Sequence, residues 1–114
     1  MDERRAARLS GQIMREIASI LQREVKDPRL GFVSIVRVRL SADGKHARVY
    51  YSTMGSDDER EESVAAMESS KPYIRSLLAK RIRLRTVPEL HLVHDHSIEE
   101  GERVLRLIRS MEDD

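Results

Sequence analysis

The chain has 114 residues, 36% of them charged, and no Cys. That length suits one domain with a modest core, and the missing thiols exclude a disulfide framework, a Cys-ligated metal centre and a thiol nucleophile. No apolar run reaches the roughly 18 residues of a membrane span. The start, Met1-Asp2-Glu3-Arg4-Arg5, has no apolar signal stretch, so a soluble cytoplasmic protein is expected.

Leu9, Ile13, Ile17, Ile20, Leu21 and Val25 recur at helical spacing and predict an amphipathic helix over about 3–26, stopped by Pro28. The period then changes to two. Val36, Val38 and Leu40 alternate with Arg37 and Arg39, and Ala47, Val49 and Tyr51 with Arg48 and Tyr50. Asp43-Gly44 between them is a hairpin signal. A turn there pairs Leu40 with Ala47, Val38 with Val49 and Val36 with Tyr51. It also sets Arg39 opposite Arg48, where like charges repel, so an anionic neighbour is expected, a carboxylate of this chain before a ligand phosphate.

Ser56-Asp57-Asp58-Glu59 is a capping box and opens a second helix through Val64, Ala65 and Met67 to about Ser69. Pro72 implies an interruption, with Ser70, Lys71 and Pro72 forming a kink and a third helix carrying Ile74, Leu77 and Leu78 to near Arg81. An extended stretch follows, then a strand from Pro88 through Leu90 and Leu92. A second capping box, Ser97-Ile98-Glu99-Glu100, opens a last helix with Val104, Leu105 and Ile108. The expectation is an α+β domain over residues 1–111, its helices on one face of a three-stranded sheet, with a short acidic tail at 112–114.

The net charge of +1 hides separated blocks: 11 basic and 6 acidic side chains over 1–54, 1 and 6 over 55–70, 6 and 2 over 71–95, 3 and 6 over 96–114. Of the 21 basic residues 17 are Arg, whose planar fork suits phosphate. The blocks fit a nucleic-acid surface and an ordinary solvated, salt-bridged surface equally well. The candidate footprint is Lys71, Arg75, Ser76, Lys80, Arg83 and Arg85, on the polar side of the third helix and beyond it, extended by Arg4, Arg5, Arg8 and Arg29. Arg75 and Arg83 are expected to be solvated. Arg29 has a second reading, pinning the Asp27-Pro28 turn.

The helix–strand–strand–helix–helix–strand order resembles a type II KH domain, a fold used for RNA, but lacks its Gly-x-x-Gly loop. The segments Leu21-Gln-Arg-Glu-Val-Lys-Asp-Pro-Arg-Leu-Gly31 and Tyr73-Ile-Arg-Ser-Leu-Leu-Ala-Lys-Arg-Ile-Arg-Leu-Arg-Thr-Val-Pro-Glu-Leu90, with Asp95-His96-Ser97, resemble the ribosome-binding factor A family. Ser70, Lys71 and Pro72 stand where that family has an Ala-x-Gly kink, so a proline replaces the glycine. The resemblance implies a bacterial, monomeric, non-enzymatic assembly factor without cofactor. It implies binding to the free, immature small ribosomal subunit and its rRNA, a role in precursor processing and cold adaptation, and an assembly GTPase as a further partner.

Two other classes compete. One is a protein-interaction adaptor with charge-segregated surfaces. The other is a small hydrolase or metalloprotein built on His91, His94, Asp95 and His96. Strand alternation turns His91 away from His94 and His96, so no metal site is expected. Four aromatic residues are too few for a base-stacking platform, so recognition should be of RNA backbone and shape.

Overall fold

The computed structural model describes residues 1–112, with helices α1 (Glu3–Arg23), α2 (Asp57–Arg81) and α3 (Ser97–Glu112) and strands β1 (Val33–Leu40), β2 (His46–Thr53) and β3 (Glu89–His94). Of the expected acidic tail, Glu112 ends α3, and Asp113 and Asp114 lie outside the described residues. No helix among the described residues is long and apolar enough to cross a membrane.

Asp2 caps α1, its Oδ1 accepting the Arg5 N–H at 2.8 Å. The helix ends at Arg23, three residues before the expected limit, where the N–H groups of Glu24 and Val25 both reach the Ile20 carbonyl. The chain then turns through Asp27-Pro28-Arg29, with the Leu30 N–H on the Asp27 carbonyl.

The sheet is mixed, in the order β1-β2-β3, with β1 and β2 antiparallel and β2 and β3 parallel. Leu40 pairs with Ala47, Val38 with Val49 and Arg39 with Arg48, as expected. Val36 does not pair with Tyr51: the register shifts between Ile35 and Arg37, and Ile35 takes that place. The apolar residues of β1 fall at 33 and 35, then at 36, 38 and 40, a change of phase. A bulge at Val36 turns Val33, Ile35, Val38 and Leu40 toward the helices and leaves Val36 itself 44% exposed.

α2 carries the expected capping box at Ser56 and Glu59. The expected restart as a separate third helix does not occur: α2 is one helix of 25 residues that runs through Ser70, Lys71 and Pro72. Pro72 has no N–H for the Glu68 carbonyl, a defect worth about 3 kcal/mol in an ordinary helix interior. Burial on both sides offsets it, because Ser63, Ala66, Met67, Ile74 and Leu78 keep one helical phase across the proline and are all buried.

α1 and α2 pack on the same face of the sheet. Ile13, Ile17 and Ile20 meet Val49, Tyr51 and Leu90 from the strands and Met67, Ile74 and Leu78 from α2. The other face of the sheet is open. α3 does not join the covering layer, since none of its residues is buried and Val104, Leu105 and Ile108 are each about half exposed. Its expected capping box is also absent. Ser97 lies inside the helix and its N–H donates to Asp95 Oδ1 at 2.8 Å, while the Glu99 carboxylate meets His96 Nδ1 at 3.1 Å.

Candidate nucleic-acid interface

The basic residues expected to form the footprint divide into those the fold uses and those it leaves free. Arg75, on the outer side of α2, reaches across to the chain entering β3. Its Nε donates to the Pro88 carbonyl at 3.1 Å and its Nη2 to the Val87 carbonyl at 2.9 Å. It is therefore a fastener of the 82–88 connection and not the freely solvated side chain expected. Ser76 Oγ donates to the Tyr73 carbonyl at 2.7 Å, and Lys71 Nζ lies 3.7 Å from Glu68. Arg81, at the end of α2, is shared between Glu16 and Glu24 at 3.4 and 3.3 Å and ties α2 to α1.

Lys80, Arg83 and Arg85 have exposed side chains with no hydrogen-bond or ion-pair partner among the described residues. Arg83 and Arg85 alternate along the connection that Arg75 holds down. With Arg5 of α1 they line a depression of about 270 Å³ floored by Leu9, Leu40 and Leu84. The structure thus unites one first-helix arginine with the loop arginines. A second depression, about 280 Å³, is lined by Lys71, Pro72, Arg75, Ser76 and Glu89. Arg4 and Arg8 are exposed on the first turns of α1.

Arg29 takes its second reading. Its Nε and Nη2 form a bidentate pair with Asp27 at 3.1 and 2.7 Å, and Nη2 also reaches Ser69 Oγ of α2 at 3.2 Å. The Arg29 hydrogen bonds hold the Asp27 carboxyl below the usual carboxylate range. Gly31 follows, its N–H on Ser63 Oγ at 3.1 Å. A Cβ at Gly31 would stand 3.3 Å from that oxygen, a tight contact that Ser63 would have to yield to by a few tenths of an ångström.

The carboxylate expected beside Arg39 and Arg48 is missing: no acidic side chain among the described residues forms an ion pair with either, or with Arg37. Their face also holds what sequence reasoning missed. His46 of β2 lies beside Glu89 and one row from His91 in β3, and the two rings approach to 3.0 Å between His46 Nδ1 and His91 Nε2. A parallel pairing of β2 with β3 is the signal that brings them together, and the sequence alone does not contain it.

Two groups have donors of the kind that hold divalent transition metals: His46, Glu89 and His91 on the open face, and His94, His96 and Glu99 at the β3–α3 junction. His91 is separated from His94 and His96, as alternation requires. In the second group Arg60 Nε already stands 3.6 Å from Glu99 Oε1, and Thr53 Oγ1 meets His94 Nε2 at 2.9 Å. Burial lowers the pKa of His94 and favours its neutral ring.

The profile of the family described as ribosome-binding factor A matches residues 5–108. The chain belongs to the ribosome-binding factor A family. The factor of that name from Heliobacterium modesticaldum is 49% identical over 108 residues, which are 95% of this chain and 89% of the relative. The crystal structure of ribosome-binding factor A from Thermus thermophilus superposes with a TM-score of 0.69 at 30% identity, over 78% of this chain and 94% of that one. A homology model of the T. thermophilus factor, fitted into the cryo-EM map of a 30S complex, gives 0.66 at 30% identity over 80% and 96%. These structures share the α+β arrangement of helices on a three-stranded sheet. Within the family frame, Asp27-Pro28-Arg29-Leu30-Gly31 is a clamped turn against α2, and Asp95-His96-Ser97 is the start of α3.

Proposed function

We propose that this chain is a non-catalytic assembly factor of the cytoplasm that binds the free small ribosomal subunit and contacts its rRNA, supporting late maturation, precursor processing and growth in the cold. Membership of the ribosome-binding factor A family over residues 5–108 carries this reading, and the 30S complex of the T. thermophilus relative supports it. On this reading residues 1–111 act as one RNA-binding domain. Arg5, Lys80, Arg83 and Arg85 contact phosphate, with Lys71 at their border and Arg4 and Arg8 extending the surface along α1. Arg75 and Ser76 shape the surface rather than carry its affinity, because the Arg75 guanidinium is engaged with the Val87 and Pro88 carbonyls. Pairing these cations with phosphates releases counterions and makes binding fall with salt. The test is sedimentation of the tagged protein with purified ribosomal particles. Binding to free small subunits and not to intact ribosomes is the expected result. Equal binding to both contradicts the proposal.

A further inference from the structure

The sheet face turned away from α1 and α2 carries a second basic surface. Strand alternation points Arg37 and Arg39 of β1 and Arg48 of β2 outward, and the pairings place Arg39, Arg48 and His91 in one row across all three strands. Arg37 lies over the Tyr50 ring, 4.5 Å from its centroid. Like charges on directly opposed residues destabilise a sheet. Arg29, Arg60 and Arg81 each have a carboxylate within 4 Å, yet among the described residues none reaches Arg37, Arg39 or Arg48. Three carboxylates lie near this face: Glu89 is 3.8 Å from His46, Asp43 accepts from Ser41 Oγ at 2.6 Å and from the Lys45 N–H, and Asp95, which Arg37 helps to keep ionised, accepts from the Ser97 N–H.

Between Arg39, Arg48, His46 and His91 the surface sinks into a depression of about 490 Å³. Two guanidinium forks and two imidazoles thus surround a hollow that holds no internal anion. We propose that this hollow is a phosphodiester-binding site and that the open sheet face is a second RNA-contact surface. The forks offer paired N–H donors matched to phosphate oxygens, and a bound phosphate relieves the repulsion between Arg39 and Arg48. RNA fits better than an acidic protein segment, because the centre of a protein–protein interface is depleted of charged residues, whereas two arginines and two histidines line this hollow. Leu40 also floors the Arg5, Arg83 and Arg85 depression, so the two basic surfaces meet at the hairpin end of the sheet. An RNA strand passing round that end meets both. The inference rests on the rRNA reading for the identity of the particle, and on the sheet geometry for the site.

The experiment measures binding of the full chain and of Arg39→Gln/Arg48→Gln to purified small subunits, and to a short single-stranded RNA of mixed sequence, over a range of salt. Losing two phosphate contacts should make the log–log salt slope shallower by about 1.4 to 1.8, while the melting temperature holds or rises. Glu89→Gln should tighten binding by removing the carboxylate beside His46. Unchanged affinity and slope in the double variant, with wild type still bound to subunits, overturns this inference and leaves the proposed function standing. If wild type binds no subunits, that proposed function fails, and the RNA series alone then decides the hollow. Weakening by Glu89→Gln together with loss of binding in EDTA would assign the site to a cation on His46, Glu89 and His91 and overturn the proposal. So would competition by polyglutamate and not by RNA. Because the chain has no Cys, an iron chelate on Val93→Cys reports this face alone. Hydroxyl-radical cuts in rRNA are expected from it, and their absence refutes the contact.

Discussion

Arg75 separates a fastening role from a binding role. Replacing it by Ala removes two charge-assisted hydrogen bonds, to Pro88 at 3.1 Å and Val87 at 2.9 Å, and frees the 82–88 connection from α2. A hydrogen bond involving a charged group contributes about 1.5–3 kcal/mol in general, and solvent around this side chain places the pair together at about 2 kcal/mol. For a chain of this size 1 kcal/mol shifts the melting temperature by roughly 3–6 °C, so Arg75→Ala should melt roughly 6–12 °C lower. The acceptors are neutral carbonyls, so the loss should change little between low and high salt. Arg83→Ala and Arg85→Ala, on partnerless side chains, should stay within about 1–2 °C of wild type. Thermal melts by circular dichroism at two salt concentrations make the comparison. An Arg75→Ala melting temperature within about 2 °C of the Arg83→Ala value would refute the fastening argument and return Arg75 to the RNA surface.

Three further outcomes are expected. Arg83→Glu with Arg85→Glu should weaken small-subunit binding and flatten its salt dependence without lowering the melting temperature; unchanged binding in sedimentation would remove the loop from the footprint. Pro72→Ala should stabilise the chain by about 1–2 kcal/mol, since restoring the N–H to the Glu68 carbonyl recovers most of the roughly 3 kcal/mol defect, less the 0.4–1 kcal/mol returned to the unfolded chain; a lower urea midpoint would show that α2 needs the proline. Stability should also fall in acid. Asp27, Glu59 and Asp95 all lie below their ordinary values, through Arg29, the Ser56 N–H and the Ser97 N–H respectively. The unfolded chain therefore takes up protons first as pH falls through about 4, and the stability present above that range is lost. His94, lowered by burial, adds a shallower decline that begins as pH falls below about 6.5. Urea midpoints should show an acid limb that Asp27→Asn reduces and an earlier one that His94→Gln removes.

Element order is legible because each signal is local. Helical spacing from Leu9 to Leu21, the Asp43-Gly44 turn and the Ser56–Glu59 box need no knowledge of the rest of the chain. The misreadings share one cause, which is tertiary context. Pro72 suggests a break only until Met67, Ile74 and Leu78 are seen buried on one side across it. Val36 looks paired until the bulge reveals that Val33 and Ile35 also need the inner face. α3 has the apolar spacing of a core helix, yet it packs none of it. Spacing records what could be buried and says nothing of whether another element arrives to bury it.

The same distinction divides the motifs from the site. Asp27 to Gly31 is a clamp on α2, Arg75 a strap on the strand approach, and Asp95 to Ser97 a helix start. These residues lie in segments that carry the resemblance to the ribosome-binding factor A family, and their polar groups are engaged within the fold, whereas Lys80, Arg83 and Arg85 of the same Tyr73–Leu90 segment are not. A binding surface needs the opposite property, charge without an internal partner. Charge blocks cannot show which arginines have that property, because a backbone carbonyl leaves no mark in the side-chain sequence. Only the placed side chains separate Arg75 and Arg81, which join elements, from Arg83, Arg85, Arg39 and Arg48, which face solvent without a carboxylate. The contacts with RNA must therefore be sought among the cations, inside those segments and outside them, that no internal partner engages.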